Sequence, residues 1–244
     1  MPPRVAQPHA QALLDRVVRA PATRPAAPAR TRRLRLVTVG VLAALIGLAA
    51  LALPRLGGGP AYASWSSTAK PVPATDRADL LARCGAVVRD DYQAEGPARM
   101  LLAEQRGHYV AVSVGTDAWT ATCFRDRDGS VLNPSFLHEP VNRRRLGGTG
   151  VELQGWPEVR TAEGYCRLMA GHVGSDVVTV DIIVHRTSEP RTVRATVGDG
   201  YFLAWYPAVT GGESVRTTLT LRLAGGGTVD GLAAGDLMNG PVLD

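Results

Sequence analysis

Residues 36–53, LVTVGVLAALIGLAALAL, run without a single charged side chain. As a helix rising about 1.5 Å per residue they would extend about 27 Å, close to the ~30 Å hydrocarbon core of a bilayer. No face of such a helix is polar, which a helix on the surface of a soluble domain would need. Eight arginines, from Arg4 to Arg35, precede the run and face Asp15 alone. Positive residues beside a span stay in the cytoplasm. The chain is therefore expected to cross a cell membrane once, with its N-terminus inside and its C-terminal domain outside. Leu34 and a snorkelling Arg35 extend the span inward, and Pro54 with Gly57-Gly58-Gly59-Pro60 ends it.

A cleavable signal peptide is the competing reading, because Ala61-Tyr62-Ala63 fits the small-x-small cleavage rule. Against it stand a positive region of about 35 residues and an apolar run beyond the usual ~7–15 of a signal core. Thr31-Arg32-Arg33 begins a twin-arginine export motif, but Arg35 stands where an apolar residue is expected. The division that follows is a basic cytoplasmic arm at 1–33, a transmembrane helix at 34–54, a linker at 55–75 and an extracytoplasmic domain at 76–244.

The net charge of +5 has a location: the first 35 residues carry +7, leaving −2 for all that follows. A nucleic-acid-binding domain is disfavoured. The expected partners are the lipid bilayer, whose anionic heads the arm favours, and a protein on either side of it. Lysine occurs once, at Lys70, a bias typical of GC-rich bacterial genomes. Within the arm, Gln11–Arg19 places Leu13, Leu14, Val17 and Val18 on one helical face. It reads as a docking helix or as a frayed turn, being marginal at about nine residues.

The outer domain reads as α+β. Asp76 is a good N-cap for a helix whose Leu80, Leu81, Cys84, Val87 and Val88 share a face. Strands are expected at 99–104, 108–114, 118–124, 164–171, 177–185, 191–197, 201–206 and 215–223. Gln105-Arg106-Gly107, Asp128-Gly129 and Asp199-Gly200 are expected turns. Residues 133–162 read as irregular. Many strands with short polar turns imply a mainly antiparallel meander or sandwich with one packed helix.

Cys84, Cys123 and Cys166 all follow the span, where disulfides form. Three cysteines allow one internal bridge, and Cys84 with Cys123 is the expected pair: one faces inward on the helix, the other lies on a strand beneath it. The alternative is three buried, reduced thiols. No CxxC, HxxxH, HExxH, GxSxG, GxGxxG or GxxxxGK[ST] occurs, so no metal, cofactor or catalytic residue is expected. Arg143-Arg144-Arg145 reads as a solvated loop or an anion-facing patch. In Tyr201-Phe202-Leu203-Ala204-Trp205-Tyr206-Pro207, the rings of Tyr201, Trp205 and Tyr206 are candidates for a binding surface. The competing reading is a core strand, in which Phe202 and Trp205 face opposite sides.

The order of basic arm, apolar span, GGPAYA, LLARC, AEQRGHYVAV, GHVGSDVVTVDIIV and RTVRATVGDGYFLAWYP resembles a group of actinobacterial single-pass membrane proteins with a β-rich extracytoplasmic domain. These are distantly like sigma-factor-associated membrane proteins. The resemblance covers roughly residues 10–230, most plainly 171–180 and 198–207. The HxxxCxxC of a zinc-type anti-sigma domain has no counterpart, since the arm lacks cysteine. The functional expectation is a membrane-tethered module that binds or senses a ligand and is not catalytic. An exported hydrolase held by an uncleaved signal helix, or a structural envelope protein, are the alternatives.

Overall fold

The computed structural model describes residues 62–186, 189–208 and 216–243. The arm with its expected helix, the uncharged run and the first third of the linker, 55–61, lie outside the described residues. Among those described, no helix is long and apolar enough to cross a membrane.

After the segment 62–73 comes helix α1 (Ala74–Tyr92), which starts two residues before Asp76 and buries Leu80, Cys84 and Val88 at a spacing of one turn. Asp76 lies in the first turn, where its charge suits the helix dipole. Gln93, at φ 54°, ends the helix and donates its N–H to the Arg89 carbonyl. Then follow β1 (Arg99–Arg106), β2 (Tyr109–Gly115), β3 (Thr120–Arg125), β4 (Val131–Leu132), α2 (Arg143–Leu146), β5 (Val151–Gly155), β6 (Glu158–Thr161) and β7 (Gly164–Val173). The chain continues through β8 (Val177–Val184), β9 (Arg191–Arg194), β10 (Thr196–Gly198), β11 (Tyr201–Pro207), β12 (Thr217–Leu223), β13 (Thr228–Ala233) and α3 (Ala234–Leu237).

These strands form three antiparallel sheets rather than one meander or a two-sheet sandwich. The first is ordered β1-β2-β3-β4, the middle β10-β11-β7-β5, and the third β13-β12-β8-β9. In the middle sheet β6 also pairs with β7, beside its N-terminal half. Three apolar cores separate the layers. One lies between α1 and the first sheet (Leu80, Cys84, Val110, Val112, Cys123). A second joins the first and middle sheets (Tyr109, Phe124, Leu168, Leu203, Trp205). The third joins the middle and third sheets (Met169, Val180, Ile182, Phe202, Leu219). Successive side chains of a strand point to opposite faces. Strand β11 therefore sends Tyr201, Leu203 and Trp205 to one core and Phe202, Ala204 and Tyr206 to the other.

Several local expectations are corrected. The stretch 191–197 is two strands, β9 in the third sheet and β10 in the middle one. Ala195 lies between them and gives its N–H to the Val180 carbonyl. The stretch 133–162 contains α2, β5 and β6, and β13 lies past the last expected strand. Arg106 is not a turn residue: β1 runs through it, and Gly107 with His108 makes the turn. Gly107 has φ 64°, and a Cβ there would meet the Ser64 carbonyl oxygen at 2.6 Å. Only glycine fits that approach without the chain moving.

Arg106 is completely buried, as is Glu104, two residues earlier on the same face of β1. The guanidinium grips the carboxylate with Nε at 2.8 Å and Nη2 at 3.0 Å. Its remaining donors reach the carbonyls of Ser66, Ser67 and Arg194. The carboxylate also accepts from the Thr196 hydroxyl at 2.9 Å and the Trp205 backbone N–H at 3.1 Å. One ion pair thus ties the N-terminal segment, β1, β9, β10 and β11 together. Removing one partner of a buried, hydrogen-bonded pair typically costs about 3–5 kcal/mol, against ~0–1 for an exposed one. Arg106→Leu is expected to lose stability in that larger range in urea denaturation, while Asp117→Asn, at the exposed Arg99–Asp117 pair, should shift the midpoint barely at all.

Candidate functional site

Cys84 on α1 and Cys123 on β3 are joined in a disulfide, their Cα atoms 5.9 Å apart. It fastens the helix to the first sheet through the core they share. Cys166 is a free, buried thiol. Burial pushes it up to about 12, so it stays protonated and unreactive at neutral pH.

Tyr201, Trp205 and Tyr206 are brought to two cores and not to a surface. The Tyr201 hydroxyl accepts the Val141 N–H at 3.3 Å, and the Tyr206 hydroxyl accepts the Trp156 indole N–H at 2.8 Å. Trp205 stands edge-on to Tyr109 and Phe124, with centroids 5.3 Å away in each case. All three rings are less than a tenth exposed, so in this structure they hold layers together and offer no contact face.

The most chemically loaded constellation had no signal in sequence spacing. His172 on β7 is paired across the sheet with Glu152 of β5 and with Tyr201 of β11. Its Nδ1 lies 3.2 Å from the Glu152 carboxylate, and the Tyr201 ring meets it edge-on at 5.0 Å. Arg145 of α2 reaches the other Glu152 oxygen at 3.3 Å. The middle arginine of the Arg143-Arg144-Arg145 run is exposed, while Arg143 donates to the Asp199 carbonyl. With Nδ1–H given to Glu152, Nε2 of His172 is left as an acceptor, and it is buried without a partner. A carboxylate-oriented imidazole is the arrangement of a general base. Here the ring is 1% exposed. The cavity beside nearby His138, lined by Thr122, Ser135 and Gln154, measures about 10 Å³, room for one water and no substrate.

The open concavity lies elsewhere. A groove of about 490 Å³ runs between α1 and the edge of the first sheet, lined by Arg77, Ala78, Leu81, Met100, Leu101 and Ala103, with Thr196 of β10 also bordering it. Strand β1 is the edge strand of its sheet. Lys70 pairs with Gln105 through two backbone hydrogen bonds, so Gln105 faces outward. Ala103, two residues back, then also turns its N–H and C=O outward. Among the described residues nothing bonds to that pair, because the chain leaves the edge to enter α1. A register shift between Met100 and Leu102 bulges the strand at Leu101 in the groove. Among the described residues no cluster of side chains could hold a metal ion. No known protein family, curated protein or solved structure matches this chain.

The histidines give a pH dependence with a definite sign. Burial holds both His172 and His138 below the ordinary 6.5, opposed in each by the Glu152 charge. A histidine depressed in the folded state takes up its proton more readily when unfolded. The stability present above the unfolded value is therefore lost as the pH falls below it toward the depressed folded value. The urea midpoint is expected to drop as the pH is lowered from about 7 past the ordinary histidine value of about 6.5. His172→Gln and His138→Gln should each flatten that fall, and an unaltered profile in the double variant would refute the assignment.

Proposed function

We propose that this chain is a membrane-tethered extracytoplasmic binding or sensing module that takes an extended polypeptide segment along the free edge of β1. The observation that carries the binding half is the groove between α1 and β1, beside outward-facing backbone groups at Ala103. Strand addition supplies main-chain hydrogen bonds, and apolar pockets beside the edge select side chains. Ala78, Leu81 and Met100 would favour small and medium apolar residues. The chain already uses this edge in the same way, where Lys70 pairs with Gln105.

The tether rests on the uncharged run and on the arginines before it. The disulfide supports an oxidising compartment for the domain, since such bonds are rare where thiols are kept reduced. The exported-hydrolase reading would have to work through Glu152 and His172, whose sealed position favours a structural role. The distant resemblance to sigma-factor-associated membrane proteins fits a tethered sensor without assigning it a partner.

Two measurements test this reading. Protease added to intact spheroplasts is expected to digest the domain, and Cys84 and Cys123 should resist alkylation until reductant is added. A domain protected until lysis, or thiols free without reductant, would refute the outward topology. For the groove, a heptapeptide library screened against the full-length protein in nonionic detergent should yield extended apolar binders. Their affinity should fall at least about tenfold in Leu101→Asp and Ala103→Pro. Binders indifferent to both changes would place the site elsewhere.

A further inference from the structure

Many guanidiniums of the domain lie against a carboxylate: Arg99 against Asp117, Arg127 against Glu163, Arg194 against Asp181. Among the described residues Arg186 and Arg191 have no such partner. Arg186 gives Nη2 to the Pro207 carbonyl at 3.0 Å. Arg191 lies over the Trp65 ring, 4.9 Å from its centroid, and Trp65 itself donates to the Trp205 carbonyl at 3.3 Å. Both cations are therefore hung from the same end of β11 by uncharged partners. Among the described residues no carboxylate lies within 4.0 Å of either. Glu189, on the loop that joins them, is exposed and pairs with neither.

Two further facts point to an unmet demand for negative charge. Nε of Arg186 is buried and finds no acceptor among the described residues. The charge on Arg191 is disfavoured by burial first and by the nearby Arg186 charge second. A carbonyl and an aromatic face fix the two planes and leave N–H donors unused, and forked donors of this kind match planar and tetrahedral oxyanions. A phosphate group carries about −1.5 to −2 at neutral pH, which balances two guanidiniums where a carboxylate would balance one.

We propose that Arg186 and Arg191 form a binding site for a phosphate-type oxyanion at the end of β11, with Trp65 as its floor. The phosphate could come from a soluble ester or from a phospholipid headgroup, and the chemistry of the site is the same for both.

Calorimetry on the full-length protein in nonionic detergent tests it, with inorganic pyrophosphate in one arm and detergent micelles doped with phosphatidylglycerol in the other. Arg186→Gln and Arg191→Gln should each weaken binding about tenfold, while Arg216→Gln, an exposed arginine, should leave it unchanged. Binding of pyrophosphate marks a soluble phosphate as the ligand type; a response to the lipid alone marks a headgroup. Binding that is the same in wild type and both variants belongs to the basic arm and overturns the proposal, as does no binding in either arm. Should Arg186→Gln fail to fold, Arg191→Gln decides alone, since its guanidinium rests on a ring and holds no backbone.

Discussion

A carboxylate and a guanidinium sealed from water at the junction of three sheets set the terms for the rest of this domain. Glu104 and Arg106 could not be buried singly, because an uncompensated charge in an apolar interior is too costly. They are tolerated because each finds the other twice and the remaining donors and acceptors are filled by Ser66, Ser67, Arg194, Thr196 and Trp205. Those partners come from separate elements, so the pair is satisfied only when all of them are in place. The apolar cores are tolerant of detail, but this network accepts one arrangement. It fixes the handover at Ala195, where the chain leaves the third sheet for the middle one.

The layered build explains where chemistry is and is not available. The middle sheet is covered on both faces, so its aromatic strand is consumed by packing, and His172 is locked between Glu152 and Tyr201. Surface chemistry is pushed to the margins of the stack. One margin is the edge of β1, where α1 leaves an apolar groove. Another is the end of β11, where two arginines stand on neutral supports. Both proposed sites lie at these margins, outside the three cores.

The sequence by itself determined a good deal. Alternation in VVTVDIIV and the turn residues Asp128-Gly129 and Asp199-Gly200 located strands and hairpins, because pleat and turn chemistry are local. The helix at Leu80–Val88 followed from its periodicity, and the Cys84–Cys123 pairing from the faces those residues occupy. The outward placement of the domain is an expectation of the sequence alone, carried by residues outside those described.

Tertiary structure decided what depends on neighbours distant in the chain. Nothing local in 191–197 says that its two halves join different sheets. In the sequence Arg106 beside Gly107 looks like a solvated turn; only partners 40 and 88 residues away turn it into a buried anchor. Whether Tyr201, Trp205 and Tyr206 face water or a core is equally silent in the sequence, since a strand covered on both faces and an exposed aromatic strand read alike. Short-range patterns specify elements because their physics acts within a turn or a pleat. Which face is covered, and by what, is settled by layers that meet only when the whole chain has folded.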